Sequence, residues 1–238
     1  MPCQNQRKSI LSAMARDLQQ LFSEEFFLAE KSRFIQLLQG THRPGIERLI
    51  DWMETKCDFF DAPSSTVFHN NFPHGLLFHS LNVYDAAMAI DEHMFPLGAF
   101  EERGYTHENI VIATLLHDLC KANNYKVVEK WLKDETKPAG HQWTTYKGYE
   151  VDDQFPLGHG DKSLYIAQSC IRLERCEALA INHHMNFFRP TVELDPYVRY
   201  PFKRALETCP LVTVVAQADV FASTMMEKTL DPKTNTFK

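Results

Sequence analysis

Apolar positions recur at helical spacing along most of this chain, and the recurrence stops wherever Gly, Pro, Asn or Ser cluster. Residues 5–58 read as two or three amphipathic helices. Ser23 ahead of Glu24 and Glu25 has the form of a helix start, an N-cap followed by acidic groups in the first turn. Gly40 ends that helix and Pro44 opens the next, whose core face is Leu49, Ile50, Trp52 and Met53. Residues 61–74 hold Pro63, Ser64, Ser65, Asn70, Asn71 and Pro73 and read as loop. Helix resumes from Gly75 to about Met94, with Leu76, His79, Val83 and Ala87 on one face. Thr106 caps a further helix running to about Lys121, in which His117 faces inward with Ala113 and Cys120.

The period changes after that. Residues 125–133 partly alternate, Pro138-Ala-Gly140 makes a turn, and residues 141–149 are rich in aromatic and β-branched types. This predicts a β-hairpin inserted between helices over about 125–150. Residues 151–160, with Pro156, Gly158 and Gly160, read as loop. Helices follow at about 161–172, 174–186 and 202–226, and a polar, frayed tail begins at Asp231. There is no internal repeat and no low-complexity segment.

The apolar helical pattern is broken at four places by side chains that bind metals. His79 lies in Gly75-Leu-Leu-Phe-His-Ser-Leu-Asn-Val, and His117-Asp118 in Ile110-Val-Ile-Ala-Thr-Leu-Leu-His-Asp-Leu-Cys-Lys. His183-His184 lie in Ala178-Leu-Ala-Ile-Asn-His-His-Met, and Asp219 in Val215-Ala-Gln-Ala-Asp-Val-Phe-Ala. A single His on an apolar face is more often a hydrogen-bonded core residue than a ligand. A carboxylate beside it, or one such as Asp219 with no Lys or Arg within four residues, is costly to bury without a cation. One or two shared divalent ions remove that cost at every position together. Mixed imidazole and carboxylate donors suit Mn²⁺, Fe²⁺, Ni²⁺ or Zn²⁺ and a site that keeps positions open for water. Paired ions would clamp the oxygens of a phosphoryl transfer.

Composition narrows the partners. With 238 residues and 44% hydrophobic content the chain is long and apolar enough for one large globular domain, or one with an N-terminal addition. A net charge of −6 without a basic stripe argues against duplex nucleic acid as partner. Six cysteines without a CxxC pair imply a reducing compartment. The N-terminal residues do not have the form of a signal peptide, and no stretch has the length of a membrane span. A soluble, cytoplasmic protein is expected.

The segment Gly75-Leu-Leu-Phe-His-Ser-Leu-Asn-Val, then Leu115-Leu-His-Asp-Leu-Cys-Lys, then a late Asp219, resembles the HD-domain superfamily of metal-dependent phosphohydrolases over about residues 60–225. His159 in Leu157-Gly-His-Gly-Asp-Lys and the His183-His184 pair extend the likeness to the branch that binds two metals. The resemblance implies a mainly all-α fold: an HD-type helical bundle at 59–228 carrying the β-hairpin, a helical extension at 1–58 and a polar tail at 229–238. It implies that His79, His117, Asp118 and Asp219 hold a first metal. Asp118 would bridge to a second, held by His159 and His183 with His184 as a further ligand. The glycine-tyrosine-proline motif of the HD-GYP branch is absent, which argues against a cyclic dinucleotide of that branch's kind. The His79 and His117 segments also look like the HD domain of a 3′→5′ exoribonuclease family, whose OB domain has no counterpart in residues 1–58.

Around these ligands, Asp118 and Lys121 are the expected catalytic pair. Lys121, three positions after Asp118, reads either as a phosphate contact or as a solvated helix-end lysine. Lys162 opens a helix against its dipole, so a phosphate-binding role is favoured over chance. Arg189 would reach the cleft or cap a helix end. Tyr125 and Tyr146, with Trp143 and Tyr149, would stack on a base or form a small core under the hairpin. The expected function is hydrolysis of a phosphoester in a nucleotide or short oligonucleotide by metal-activated water. The alternatives are a nucleoside triphosphohydrolase or 5′-nucleotidase, a di-iron oxygenase of the myo-inositol oxygenase type, and a nucleotide sensor without activity.

Overall fold

A computed structural model describes residues 23–93, 103–188, 195–231 and 236–237. Helix expected before residue 23, the end of the third helix at Met94, and Arg189 lie outside them. The first described helix, α1 (Glu24–Gly40), begins where its cap predicts, with the Ser23 hydroxyl accepting from the Phe26 amide. Helix α2 (Ile46–Thr55) buries Ile46, Leu49, Ile50 and Met53, an i, i+3, i+4, i+7 stripe. Phe34 and Leu38 of α1 are buried in the same core, where Phe59 and Phe60 meet at 89°.

Two central helices position His79 and the His117-Asp118 pair. Helix α3 (Gly75–His93) is buried nearly all round its first three turns. Its start is tight: a Cβ on Gly75 would sit 2.0 Å from the Asn70 carbonyl oxygen, so no other residue fits. Helix α4 (His107–Leu116) opens with a reciprocal capping box between Thr106 and Asn109. It stops at Leu116, short of the expected Lys121. Asp118 leaves the helical conformation, at φ −108° and ψ 21°, and a 3₁₀ turn follows at Leu119–Lys121. The tighter turn swings the Asp118 carboxylate to where groups from three other elements reach it.

The hairpin forms as expected. Strands β1 (Tyr125–Lys133) and β2 (Trp143–Val151) pair antiparallel, with Tyr125 opposite Val151 and Lys133 opposite Trp143. Helix α5 begins at His159 (His159–Cys170), two residues earlier than the pattern predicts, and α6 spans Arg175–His183 with a 3₁₀ turn at His184–Phe188. The final helical region is two helices, not one. Asp195 caps α7 (Pro196–Thr208), and Pro210 starts α8 (Pro210–Phe221) after a bend of 104°. Pro at a first helical position begins a new helix and cannot continue the old one. A π-turn (Ala222–Met226) ends α8, and a two-residue strand at Leu230–Asp231 pairs with Thr236–Phe237.

Helix α8 packs on α3 and α6, and α4 packs on α3 and α6, giving a mainly helical assembly with two small two-stranded sheets among the described residues. The assembly is pinned by a buried carboxylate. Glu177 receives Arg43 at 2.6 and 2.9 Å, the Asn109 amide at 2.8 Å and the Glu174 backbone N–H at 2.7 Å. Every lone-pair direction is used, so the charge is tolerated. No single helix among the described residues is long and apolar enough to cross a membrane.

Candidate metal centre

Four histidine rings and two carboxylates meet where α3, α4, α5, α6 and α8 converge. His79 Nε2 lies 3.2 Å from His117 Nε2, 3.2 Å from Asp118 Oδ2 and 3.4 Å from Asp219 Oδ1. His159 Nε2 lies 2.6 Å from Asp118 Oδ1, and His184 Nε2 lies 3.8 Å from the same oxygen. His79, His117 and His184 are fully buried.

The outward sides of these rings fix which nitrogen faces in. His79 Nδ1 donates to Glu227 at 2.9 Å. His117 Nδ1 donates to the Thr114 carbonyl at 2.6 Å, and His184 Nδ1 to the Ile181 carbonyl at 2.8 Å. Each ring therefore turns its Nε2 toward the cluster. This is the arrangement that orients imidazole ligands and raises their basicity. His184 Nε2 has no hydrogen-bond partner among the described residues, although it is buried. A self-contained polar network would leave no such atom, because an unsatisfied buried acceptor costs about 1–3 kcal/mol.

The donor set fits a divalent ion. Ligands about 2.1 Å from one ion stand roughly 3.0–3.4 Å from each other. The separations of His79 Nε2 from His117, Asp118 and Asp219 fall there. His117, Asp118 and His184 form a second group, and Asp118, Cys120 and His159 a third. Asp118 is common to both of the latter. These buried His and Asp groups can hold a metal ion.

Electrostatics agree with this. Burial works against a charge on His79, but Glu227, Asp118 and Asp219 hold its pKa well above the ordinary value. Burial opposes a charge on His159 too, and Asp118 nevertheless raises it to about 10. Burial would raise Asp118, yet Lys121, His117 and His159 keep its carboxyl well below the usual range. Asp219 is lowered against its own burial by His79. His184 goes the other way: burial, then the charges of His117 and His159, depress it to about 3. It is a neutral imidazole, ready to act as a ligand.

One cleft of about 350 Å³ opens onto this centre, lined by His69, Asp118, Lys121, His159, Met185, Asp219, Val220, Ser223 and Thr224. Lys121 Nζ lies 2.6 Å from Asp118 Oδ2 at its wall.

Of the residues expected from sequence, His79, His117, Asp118, His159, His184, Asp219 and Lys121 come together. His183 does not. It packs beside Phe202, with ring centroids 5.8 Å apart and planes tilted by 43°, and its Nδ1 meets Asn186 at 2.7 Å. The adjacent His184 takes the inward place. Lys162 also lies elsewhere: it is buried and held by Asp153 at 2.6 Å and Asn124 at 3.3 Å, tying the loop after the hairpin to α5. Tyr125 lies beside Lys121 with its hydroxyl 3.4 Å from the Ser64 carbonyl. Tyr146 lines a separate recess of about 220 Å³ with Lys130 and Asn71.

Three contributors were not read from the sequence: Glu227, His69 and Cys120 as a ring partner. Glu227 joins two histidines, with Oε1 on His79 and Oε2 on His69 Nδ1 at 3.0 Å, and receives Asn82 at 3.2 Å. It holds its charge, against burial, because of His79 and His69, at a pKa of about 2. The π-turn before it is the one local mark, since such turns gather at functional sites. Comparison with protein-family models, with curated proteins and with solved structures finds no match.

Proposed function

We propose that this chain is a metal-dependent phosphohydrolase of the HD-domain kind, acting on a phosphoester of a nucleotide or short oligonucleotide. One observation carries the reading: three fully buried histidines commit Nδ1 outward and present Nε2 to two carboxylates beneath a cleft holding a lysine. His79, His117 and Asp219, with Asp118, would hold one divalent transition-metal ion. Asp118, His184 and His159 would hold a second. Such ions lower the pKa of bound water and neutralise charge on phosphoryl oxygens.

The chain's own groups supply the rest. Lys121 has three N–H donors and spends one on Asp118, so two remain for a phosphate oxygen in the cleft. Asp118 holds that ammonium charged, and burial strengthens its pull on an anion. His69 lines the cleft with its Nδ1 tied to Glu227, which leaves Nε2 as the ring nitrogen free for a bound substrate. Met185 and Val220 form an apolar wall for a sugar or base. The cleft volume of about 350 Å³ is of the size of one nucleotide unit.

The test is a substrate panel with Mn²⁺ and, separately, Fe²⁺. It contains bis-p-nitrophenyl phosphate, p-nitrophenyl phosphate, nucleoside mono- and triphosphates, cyclic nucleotides and short single strands. Diester cleavage is expected to exceed monoester cleavage, and Asp118→Asn to abolish both. Oxygen uptake with a polyol and no phosphoester turnover with any metal would overturn the reading in favour of an oxygenase.

A further inference from the structure

A recess of about 220 Å³ lies beside the hairpin, lined by Tyr146 and Tyr149 of β2 and by Lys130 and Lys147. Lys130 reaches across the ribbon. Gly148 leaves room for its stem, since a Cβ there would come within 3.0 Å of Lys130 Cδ. The Lys130 ammonium gives one proton to the Tyr149 carbonyl at 2.7 Å and keeps two donors. Asp231 is the only acid on the wall among the described residues, and it is buried and already engaged. Asn71 is spent, because its amide is bonded both ways to Leu230. What remains for a ligand is aromatic surface and ammonium donors, the combination that holds a base and its phosphate.

The recess and the cleft are bounded by the same three elements. One loop puts His69 in the cleft and Thr66, Val67 and Asn71 in the recess. One strap holds His69 through Glu227 and lines the recess with Thr229, Leu230 and Asp231. The hairpin begins at Tyr125, beside Lys121 of the cleft, and reaches the recess at Tyr149. Tyr125 pairs with Val151 and Val127 with Tyr149, so the two tyrosines are one pleat apart along the ribbon. Two residues of strand cover about 7 Å, a length that one extended sugar-phosphate unit spans.

We infer that the recess seats the nucleotide next to the one whose phosphoester lies in the cleft, so that the substrate is a single-stranded oligonucleotide and not a mononucleotide. The inference rests on the phosphohydrolase reading and sharpens its substrate. The recess is smaller than the cleft and suits a base stacked on a tyrosine, with the adjoining phosphate on Lys130 or Lys147. A base must be unpaired and splayed from its strand to enter.

Calorimetric binding of adenylate and of its di- and tetranucleotide to the metal-free full chain tests this, followed by kcat/KM for the same set with Mn²⁺. Wild type is expected to bind the dinucleotide roughly 5–150-fold more tightly than the mononucleotide, the range for one stacked base. Tyr146→Leu, which keeps apolar bulk and removes the ring, and Lys130→Gln should each lose most of that gain and leave mononucleotide affinity unchanged. Melting curves and circular dichroism control for folding. Equal affinity for mono- and dinucleotide in wild type would overturn the inference, and so would a gain that survives in both variants. Loss of the gain in Trp131→Ala alone would also overturn it, because Trp131 is exposed on the other face of the ribbon and the strand would then run there. A gain in binding with no ester cleaved supports the recess and removes the phosphohydrolase reading. Cleavage of mononucleotide esters without the gain does the reverse.

Discussion

His183 and His184 are neighbours in sequence and face opposite surroundings. His184 sends Nε2 into the cluster with Nδ1 on the Ile181 carbonyl, while His183 packs beside Phe202 and meets Asn186. Their substitutions should therefore separate cleanly. His184→Ala is expected to cut metal affinity at least 10-fold and to leave the fold intact. His183→Ala should keep full metal content and lose about 1–3 kcal/mol of stability, the range for a buried packing residue. Metal analysis and urea denaturation of both variants decide it. Equal metal loss in the two would contradict the assignment.

Glu227 lies behind the His79 ring and is not among the residues that line the cleft. Glu227→Gln keeps an acceptor for His79 but removes the charge that supports its basicity. Metal affinity at the His79 position should fall roughly 10–100-fold. Glu227→Ala should fall further, since it leaves two histidines without their partner. Competition with a chelator of known affinity measures both. An unaltered wild-type affinity in Glu227→Ala would show that the carboxylate is structural only.

Acid–base behaviour should run in opposite directions with and without metal. In the metal-free chain the protonated His159 is stabilised by Asp118 and held at about 10, against an ordinary 6.5. Its contribution to stability is complete below pH 6.5 and is lost as pH rises through about 10. Glu227, held at about 2 against 4.5, acts at the other end: its contribution is present above pH 4.5 and is lost as pH falls toward 2. A metal must displace the Nε2 proton of His159, and of His79, which is raised likewise. Affinity should thus climb between pH 6.5 and 10 while metal-free stability declines. Calorimetry in buffers of different ionisation enthalpy should register proton release. A pH-independent affinity in that window would sink the ligand roles of these two rings.

Arg43 and Glu177 give a stability test remote from the cleft. Arg43→Met strands a fully buried carboxylate that retains only Asn109 and a backbone N–H. The cost should be about 3–5 kcal/mol. For a chain of this size that lowers Tm by roughly 6–20 °C. Thermal melts followed by circular dichroism suffice, and a change under 1 kcal/mol would mean that the pair is dispensable.

The sequence showed most of the centre because burial made its ligands conspicuous. His79, His117-Asp118 and Asp219 stand out as polar groups in apolar helices, and helices pack with such faces inward. The pattern could not choose between His183 and His184. Adjacent helical residues differ by about 100°, and the helix turns 3₁₀ between them, so a small phase error exchanges them. Lys162 looked displaced by the helix dipole, and its partner Asp153 is set by how the preceding loop folds back. Glu227 lies beyond the end of α8, where no period applies. The break at Cys209-Pro210 was legible in principle from the proline, but the apolar run on both sides masked it.

The strap from Glu227 to Leu230 has a consequence for the order in which the protein is made. Lys228 accepts from the Asn70 amide at 2.7 Å, and Leu230 is bonded both ways to Asn71, at 2.7 and 3.0 Å. His79 thus waits for a partner 148 positions downstream. On a translating ribosome, the bundle can gather while its first ligand still lacks the group that sets its tautomer. A nascent chain halted before residue 227 would thus be folded in outline with His79 still lacking the acceptor for its Nδ1.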